Sequence, residues 1–277
     1  MPTLMPTQMK NIPTQSINKQ AVAESFSKAA KHYDHFAQLQ RDVGDQLLNM
    51  VIKDESHSFA INDIVDLGCG TGYFTEKLSS HFCHSNITCF DLSATMLDQV
   101  KKRHINNVTF QQGDIDNLPF HENSLDLIYS NLVVQWSDNL EVCLQQVHKS
   151  LKAEGRCYFS TLLNGTLDEL TQAWKQVDQN PHTNSFLSLK HIKETLAKVP
   201  FSQVNITTER RVLYYENVIE VMRALKGVGA NHVHGHHSLQ RLGRQILKQL
   251  QAGYQPFIDE QGRLKLTYQV CYIEATK

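Results

Sequence analysis

The stretch IVDLGCGTGYF, Ile64–Phe74, runs apolar up to an acid, passes three glycines at alternate positions and resumes with two aromatics. It reads as a β-strand that turns through a loop of Gly68, Gly70 and Gly72 into a helix. Backbone N–H groups in such a loop can face a ligand with no Cβ in the way. Outward from this point, short β-branched or apolar runs alternate with helical stretches, the sequence form of βαβ units around a parallel sheet. The runs place strands near 62–67, 86–91, 108–112, 124–131 and 155–162, helices near 73–82, 94–104 and 138–151, and an irregular crossover at 118–120. Right-handed connections bring the C-terminal ends of these strands to one edge of the sheet, where an open α/β sheet binds its ligand.

The spacing of the glycines narrows the ligand. A dinucleotide fold needs G-x-G-x-x-G, whereas counting from Gly68 puts Tyr73 at the third glycine position and counting from Gly70 puts Thr75 there. No G-K-[ST] follows for a nucleoside triphosphate. What remains is D-x-G-x-G-x-G, in which the Asp66 carboxylate would repel a pyrophosphate but suits a ligand carrying an ammonium and a sulfonium. S-adenosylmethionine is such a ligand. The second strand ends in ITCFDLS at Asp91, where a carboxylate accepts both hydroxyls of a ribose. The third puts Asp114 and Ile115 at its end, an acceptor for an exocyclic amine beside an apolar surface for a ring. The alternative is that the glycines form only a tight turn and the acids only helix caps.

Composition sets the frame. With 277 residues, 41% of them hydrophobic, the chain has enough material for one full-sized α/β domain with an accessory element. Lys and Arg (27) nearly balance Asp and Glu (28), so nothing global draws it to nucleic acid or an anionic membrane. Six cysteines, at 69, 83, 89, 143, 157 and 271, form no C-x-x-C pair and suggest neither a zinc site nor a disulfide framework, which fits a reducing cytoplasm. Residues 1–18 lack the apolar core of a signal peptide and read as a polar, disordered tail, and no run approaches the length of a membrane span. From Ala21 to Met50, apolar residues recur at helical spacing, an amphipathic segment with one break. Beyond Thr161, GTLDELTQAWKQVD reads as a helix, VNITTERRVLYY as a strand candidate, and 266–275 as the last strand.

Asp66 to Gly72, Asp91 and the "GDI" of 113–115, in this order, resemble the class I S-adenosylmethionine-dependent methyltransferases over roughly residues 60–162. The segments at 26–40, 130–136, 159–174 and 222–232, together with the final LTYQVCYIEATK, resemble the malonyl-[acyl-carrier-protein] O-methyltransferases of biotin synthesis over nearly the whole chain. The resemblance implies a Rossmann-like α/β sheet with helices on both faces. It implies one domain over 19–277, with a core at 60–162, an N-terminal helical lid at 19–52 and an inserted, substrate-side helical segment at about 163–240. The implied reaction methylates the free carboxyl of a malonyl thioester, on acyl-carrier protein or coenzyme A, so that the neutral ester can prime elongation toward a pimeloyl chain. A monomer is expected.

A carboxylate is already ionised at neutral pH, so the reaction needs no general base and none is assigned. Asp66, Gly68, Gly70, Gly72, Asp91, Leu92, Asp114, Ile115 and Asn131 form the expected cofactor set, and Tyr33, Gln135, Trp136 and Arg223 the expected substrate set. Tyr33 and Trp136 read equally as packing residues. Arg223 is the preferred carboxylate anchor because its fork can grip a carboxylate at two points, the alternative being a solvated helix face. Arg241, Arg244 and Lys248 make a basic helical stripe that could meet an acidic carrier, or simply face water. The histidine tract NHVHGHH, 231–237, matches no familiar metal spacing, and no metal is assigned. A methyltransferase for another small acid or a quinone precursor, and a noncatalytic cofactor-binding module, remain open as alternatives.

Overall fold

A computed structural model describes residues 17–54, 60–230 and 243–277; the tail over 1–16, the histidine tract and Arg241 lie outside the described residues. Three helices come first: α1 (Lys19–Ala29), α2 (Tyr33–Phe36) and α3 (Gln38–Lys53). Strands and helices then alternate through β1 (Asp63–Leu67), α4 (Tyr73–His81), β2 (Asn86–Asp91), α5 (Ala94–Lys101), β3 (Val108–Gln112), β4 (Leu125–Asn131), α6 (Leu140–Ser150) and β5 (Leu151–Leu162). The described chain finishes with α7 (Asp168–Trp174), α8 (Leu189–Leu196), β6 (Gln203–Tyr215), α9 (Val218–Gly227), α10 (Arg244–Gly253) and β7 (Leu264–Thr276).

The strands form one sheet in the order β3-β2-β1-β4-β5-β7-β6. The first five are parallel, and β7 runs antiparallel between β5 and β6. The order of connection reverses between β1 and β4, so a crevice opens at their C-terminal ends. Ile64 to Leu67 are all buried because helices cover both faces of the sheet. Successive residues of β1 serve opposite layers. Ile64 packs with Leu39, Val43, Leu47 and Val51 of α3, four residues one helical stripe apart. Val65 packs with Leu140, Cys143, Leu144 and Val147 of α6. Side-chain caps mark where several helices begin: Asn18 accepts from the Ala21 amide, Ser93 from Met96, and Asn139 from Glu141 and Val142.

One expectation changes. The N-terminal helical segment breaks twice rather than once, because His32 and Ala37 leave helical geometry on either side of α2. The corner is held by tertiary contacts of Asp34 on α2: the Thr71 hydroxyl and the Arg103 guanidinium donate to its carboxylate, and Arg41 donates to its carbonyl. Within the segment at 163–240, the strand candidate VNITTERRVLYY is the outer strand β6, which pairs with β7 from Gln203 to Tyr215. Among the described residues, no helix is long and apolar enough to cross a membrane.

Candidate active site

Two adjoining cavities, of about 620 and 430 Å³, open where β1, β2 and β4 end. Gly68, Gly70, Asp91, Leu92, Asp114, Ile115 and Asn131 line the larger one, with Tyr33 and Trp136 on the other wall. Tyr33, Gly68, Gly70 and Asn131 are shared with the smaller cavity, which adds Asp66. Gly72, Gln135 and Arg223 line neither.

The glycines divide their work. Gly70 sits at φ +54°, and a Cβ built on it meets nothing within 4 Å, so its free side faces open space. Gly72, the N-cap of α4, leaves room for Val100: an added Cβ would lie 2.7 Å from that side chain. It lets the start of α4 pack on α5 and does not touch either cavity.

Asp91 organises the loop. One carboxylate oxygen accepts from the Gly70 amide at 2.9 Å and the other from the Ser93 amide at 2.8 Å. Each oxygen keeps acceptor capacity toward the cavity. Burial pushes its carboxyl up to about 6, against the two backbone bonds that favour the ionised form. Asp66 is only 2% exposed and accepts from the Thr75 hydroxyl at 2.6 Å. Burial pushes it up to about 7, opposed by the Thr75 bond and reinforced by the nearby Asp91 charge. Two carboxylates held above their usual range beside an open cavity are groups awaiting a cation or hydrogen-bond donors.

The N-terminal helices form the other side. Lys19 of α1 reaches Asp114 at 2.8 Å, Asp116 at 2.6 Å and the Trp136 carbonyl at 2.8 Å, tying α1 to the loops after β3 and β4. Burial alone would lower the Lys19 ammonium pKa, but the bonds to the two aspartates outweigh it and raise it. Phe26 stands edge-on to Trp136, with ring centres 5.6 Å apart, and Tyr33 lies 6.5 Å from Phe26. Burial, Asp91 and Asp34 together push the Tyr33 phenol well above its ordinary value, so it remains an O–H. The Gln135 amide is spent on the Leu132 carbonyl, and its oxygen accepts from the Thr161 hydroxyl at 3.3 Å. Asn131 is likewise engaged, donating to the Gln40 carbonyl and accepting from Ser160. Arg223 lies on the exposed side of α9, between the buried Met222 and Leu225. Lys19, Gln40 and Arg41 were not among the residues expected at the site, and no local signal marks them: Lys19 meets Asp114 across 95 positions of sequence.

Residues 65–159 match the model of a methyltransferase domain family. Over 257 residues the chain is 38% identical to the malonyl-[acyl-carrier protein] O-methyltransferase of Serratia marcescens, covering 93% of this chain and 95% of that one. The chain belongs to this family. The Yersinia pestis member is 35% identical, with 94% and 92% of the two chains covered. A bifunctional biotin biosynthesis protein of Teredinibacter turnerae is 34% identical over 96% of this chain and 48% of its own length. Among solved structures, YcgJ from Bacillus subtilis superposes with a TM-score of 0.57 at 17% identity, covering 84% of this chain and 98% of that one. A methyltransferase-like protein from Bacillus halodurans gives 0.59 at 12% identity, covering 84% and 99%. At such identities these likenesses establish the Rossmann-like α/β fold.

As a member of the malonyl-[acyl-carrier protein] O-methyltransferases, the chain is an S-adenosylmethionine-dependent methyltransferase of biotin synthesis. The residues present fit that cofactor. Gly70 leaves an open cradle, and Asp91 turns two anchored oxygens toward it. In the smaller cavity, the buried Gln40 Oε1 has no hydrogen-bond partner among the described residues, an acceptor without a donor.

Proposed function

We propose that this enzyme methylates the free carboxylate of a malonyl group carried as a thioester on acyl-carrier protein, and that its cavities divide between cofactor and acceptor. The reading is carried by the near full-length likeness to enzymes named for that reaction. The electrostatics support it, since burial, Asp91 and Asp34 keep the Tyr33 phenol protonated and so unfit to act as a base. A carboxylate acceptor needs no such base.

When bound, S-adenosylmethionine supplies a methyl group on a sulfonium. Asp91 would accept hydrogen bonds from its ribose hydroxyls, Asp114 from its adenine amine beside Leu92 and Ile115, and Asp66 would face its cationic end. Phe26, Tyr33 and Trp136 keep water from the acceptor and hold it in line, which matters because a hydrated carboxylate is a weak nucleophile. Purified enzyme should transfer labelled methyl to malonyl-carrier protein, but not to acetyl-carrier protein or free malonate. Cofactor binding without transfer to any malonyl thioester would overturn the reading.

Two expected outcomes follow from the electrostatics. Asp66 and Asp91 hold protons in the folded chain to about pH 7 and 6, well above an unfolded carboxyl. Their ionisation therefore costs the ligand-free fold stability as pH rises from about 4 through these values. A cation bound beside Asp66 reverses that cost, so binding releases a proton. Cofactor affinity should rise by about five- to tenfold between pH 6 and 7.5, while kcat at saturating cofactor stays flat over that range. Calorimetry in buffers of different ionisation heat measures the proton release; affinity independent of pH would remove Asp66 from the cationic end.

The second outcome concerns Arg223. Its exposed position on α9 limits what an ion pair there is worth, so Arg223→Ala should raise KM for the malonyl thioester by about fivefold and leave cofactor affinity unchanged. Arg223→Lys should recover part of the loss, because an ammonium keeps the charge without the planar fork. A wild-type KM in Arg223→Ala excludes it as the anchor.

A further inference from the structure

Gln40 and Arg41 are neighbours in the first turn of α3, and both line the smaller cavity with Asp66. The Gln40 side-chain oxygen is buried there without a donor. Its backbone is fixed, because its carbonyl accepts from the Asn131 amide at 2.8 Å, so the side chain is delivered from a rigid point. Arg41 spends one guanidinium nitrogen on the Asp34 carbonyl. It forms no ion pair among the described residues, which leaves a cationic fork beside the cavity with donors to spare. Ala37, the N-cap of α3, offers no side-chain acceptor to the first-turn N–H groups. The positive end of this sixteen-residue helix therefore adds to the Arg41 charge.

An unsatisfied acceptor and an unpaired cation, side by side and facing one cavity, match a group that carries a donor cation and an anion on one carbon. We propose that Gln40 and Arg41 recognise the zwitterionic amino-acid end of the cofactor: Gln40 Oε1 accepts from its ammonium together with Asp66, and the Arg41 guanidinium pairs with its carboxylate. This rests on the assignment of the cavities to S-adenosylmethionine. The lid is then more than a cover, because the corner between α2 and α3 that Asp34 holds also sets where the guanidinium points.

The test uses three ligands measured by calorimetry on the full chain: S-adenosylhomocysteine, decarboxylated S-adenosylmethionine, and methylthioadenosine, which lacks the amino-acid end. Arg41→Met should weaken S-adenosylhomocysteine by about tenfold or more, while the decarboxylated ligand and methylthioadenosine bind as to wild type. Gln40→Leu should weaken both ammonium-bearing ligands and spare methylthioadenosine. Gln40→Glu, which keeps the acceptor, should hold or raise the affinity for both. Equal weakening of all three ligands would show that the two residues only shape the lid and would overturn the inference, as would wild-type affinities throughout. The underlying cofactor assignment fails separately: in that case Asp91→Ala would leave even methylthioadenosine unaffected.

Discussion

Gly70→Val should abolish cofactor binding while the chain still folds. Two facts about this position set the expectation. Its backbone is left-handed at φ +54°, a region that a β-branched residue enters at a cost of about 1–3 kcal/mol. The protein around it leaves the added side chain free space, so no core neighbour is displaced. That space belongs to both cavities, and the valine methyls would occupy it. S-adenosylhomocysteine affinity should fall by about a hundredfold or more, with a loss of only several degrees in Tm. Gly72→Val provides the contrast. Its side chain would collide with Val100 between α4 and α5, so that variant should lose stability first and binding only as a consequence. Calorimetry and thermal melting separate the two patterns. A folded Gly70→Val enzyme with wild-type affinity would mean that the loop does not face the cofactor.

Asp91→Ala should weaken S-adenosylhomocysteine by about 10- to 150-fold, the worth of charge-assisted bonds at about 1.5–3 kcal/mol. The carboxylate has two duties, accepting from the ribose and holding the Gly70 and Ser93 amides, so its removal also loosens the loop. Asp91→Asn keeps one acceptor oxygen and should recover part of the affinity. The fold should tolerate the change, because the wild-type carboxyl is held up to about 6 by burial and its ionisation opposes folding above that pH. A ligand without ribose hydroxyls should lose only what the loosened loop costs, much less than S-adenosylhomocysteine loses. If the variant discriminates between the two ligands as strongly as wild type does, Asp91 is not the ribose acceptor.

Much of this molecule was legible in one dimension. Strands and helices of the core announce themselves by period, and β1, β2 and β3 end within a residue of their expected positions at 67, 91 and 112. For the inner strand β1 that holds because a strand covered on both faces must be apolar on both. The three acids line the cavities because parallel right-handed crossovers bring every strand end to the same edge, whatever the loops between them do. Less was readable beyond the core. The period of the N-terminal segment hid its second break, since the break is fixed by Asp34 reaching Thr71 and Arg103 rather than by any local helix signal.

The sequence by itself determined the glycine loop, the strand-end acids and the cofactor class that an acid beside the loop permits. Each is a pattern within a few residues of a strand, where local geometry leaves one placement. Only the tertiary structure decided which residues of the N-terminal helices line the cavities. Lys19 meets Asp114 from 95 positions away, and Gln40 and Arg41 enter from a helix whose visible stripe is its buried face. It also decided that Arg223 faces outward and that β7 threads antiparallel between β5 and β6. These are outcomes of long-range packing, in which many sequence-distant contacts choose one arrangement among several that the same local patterns allow.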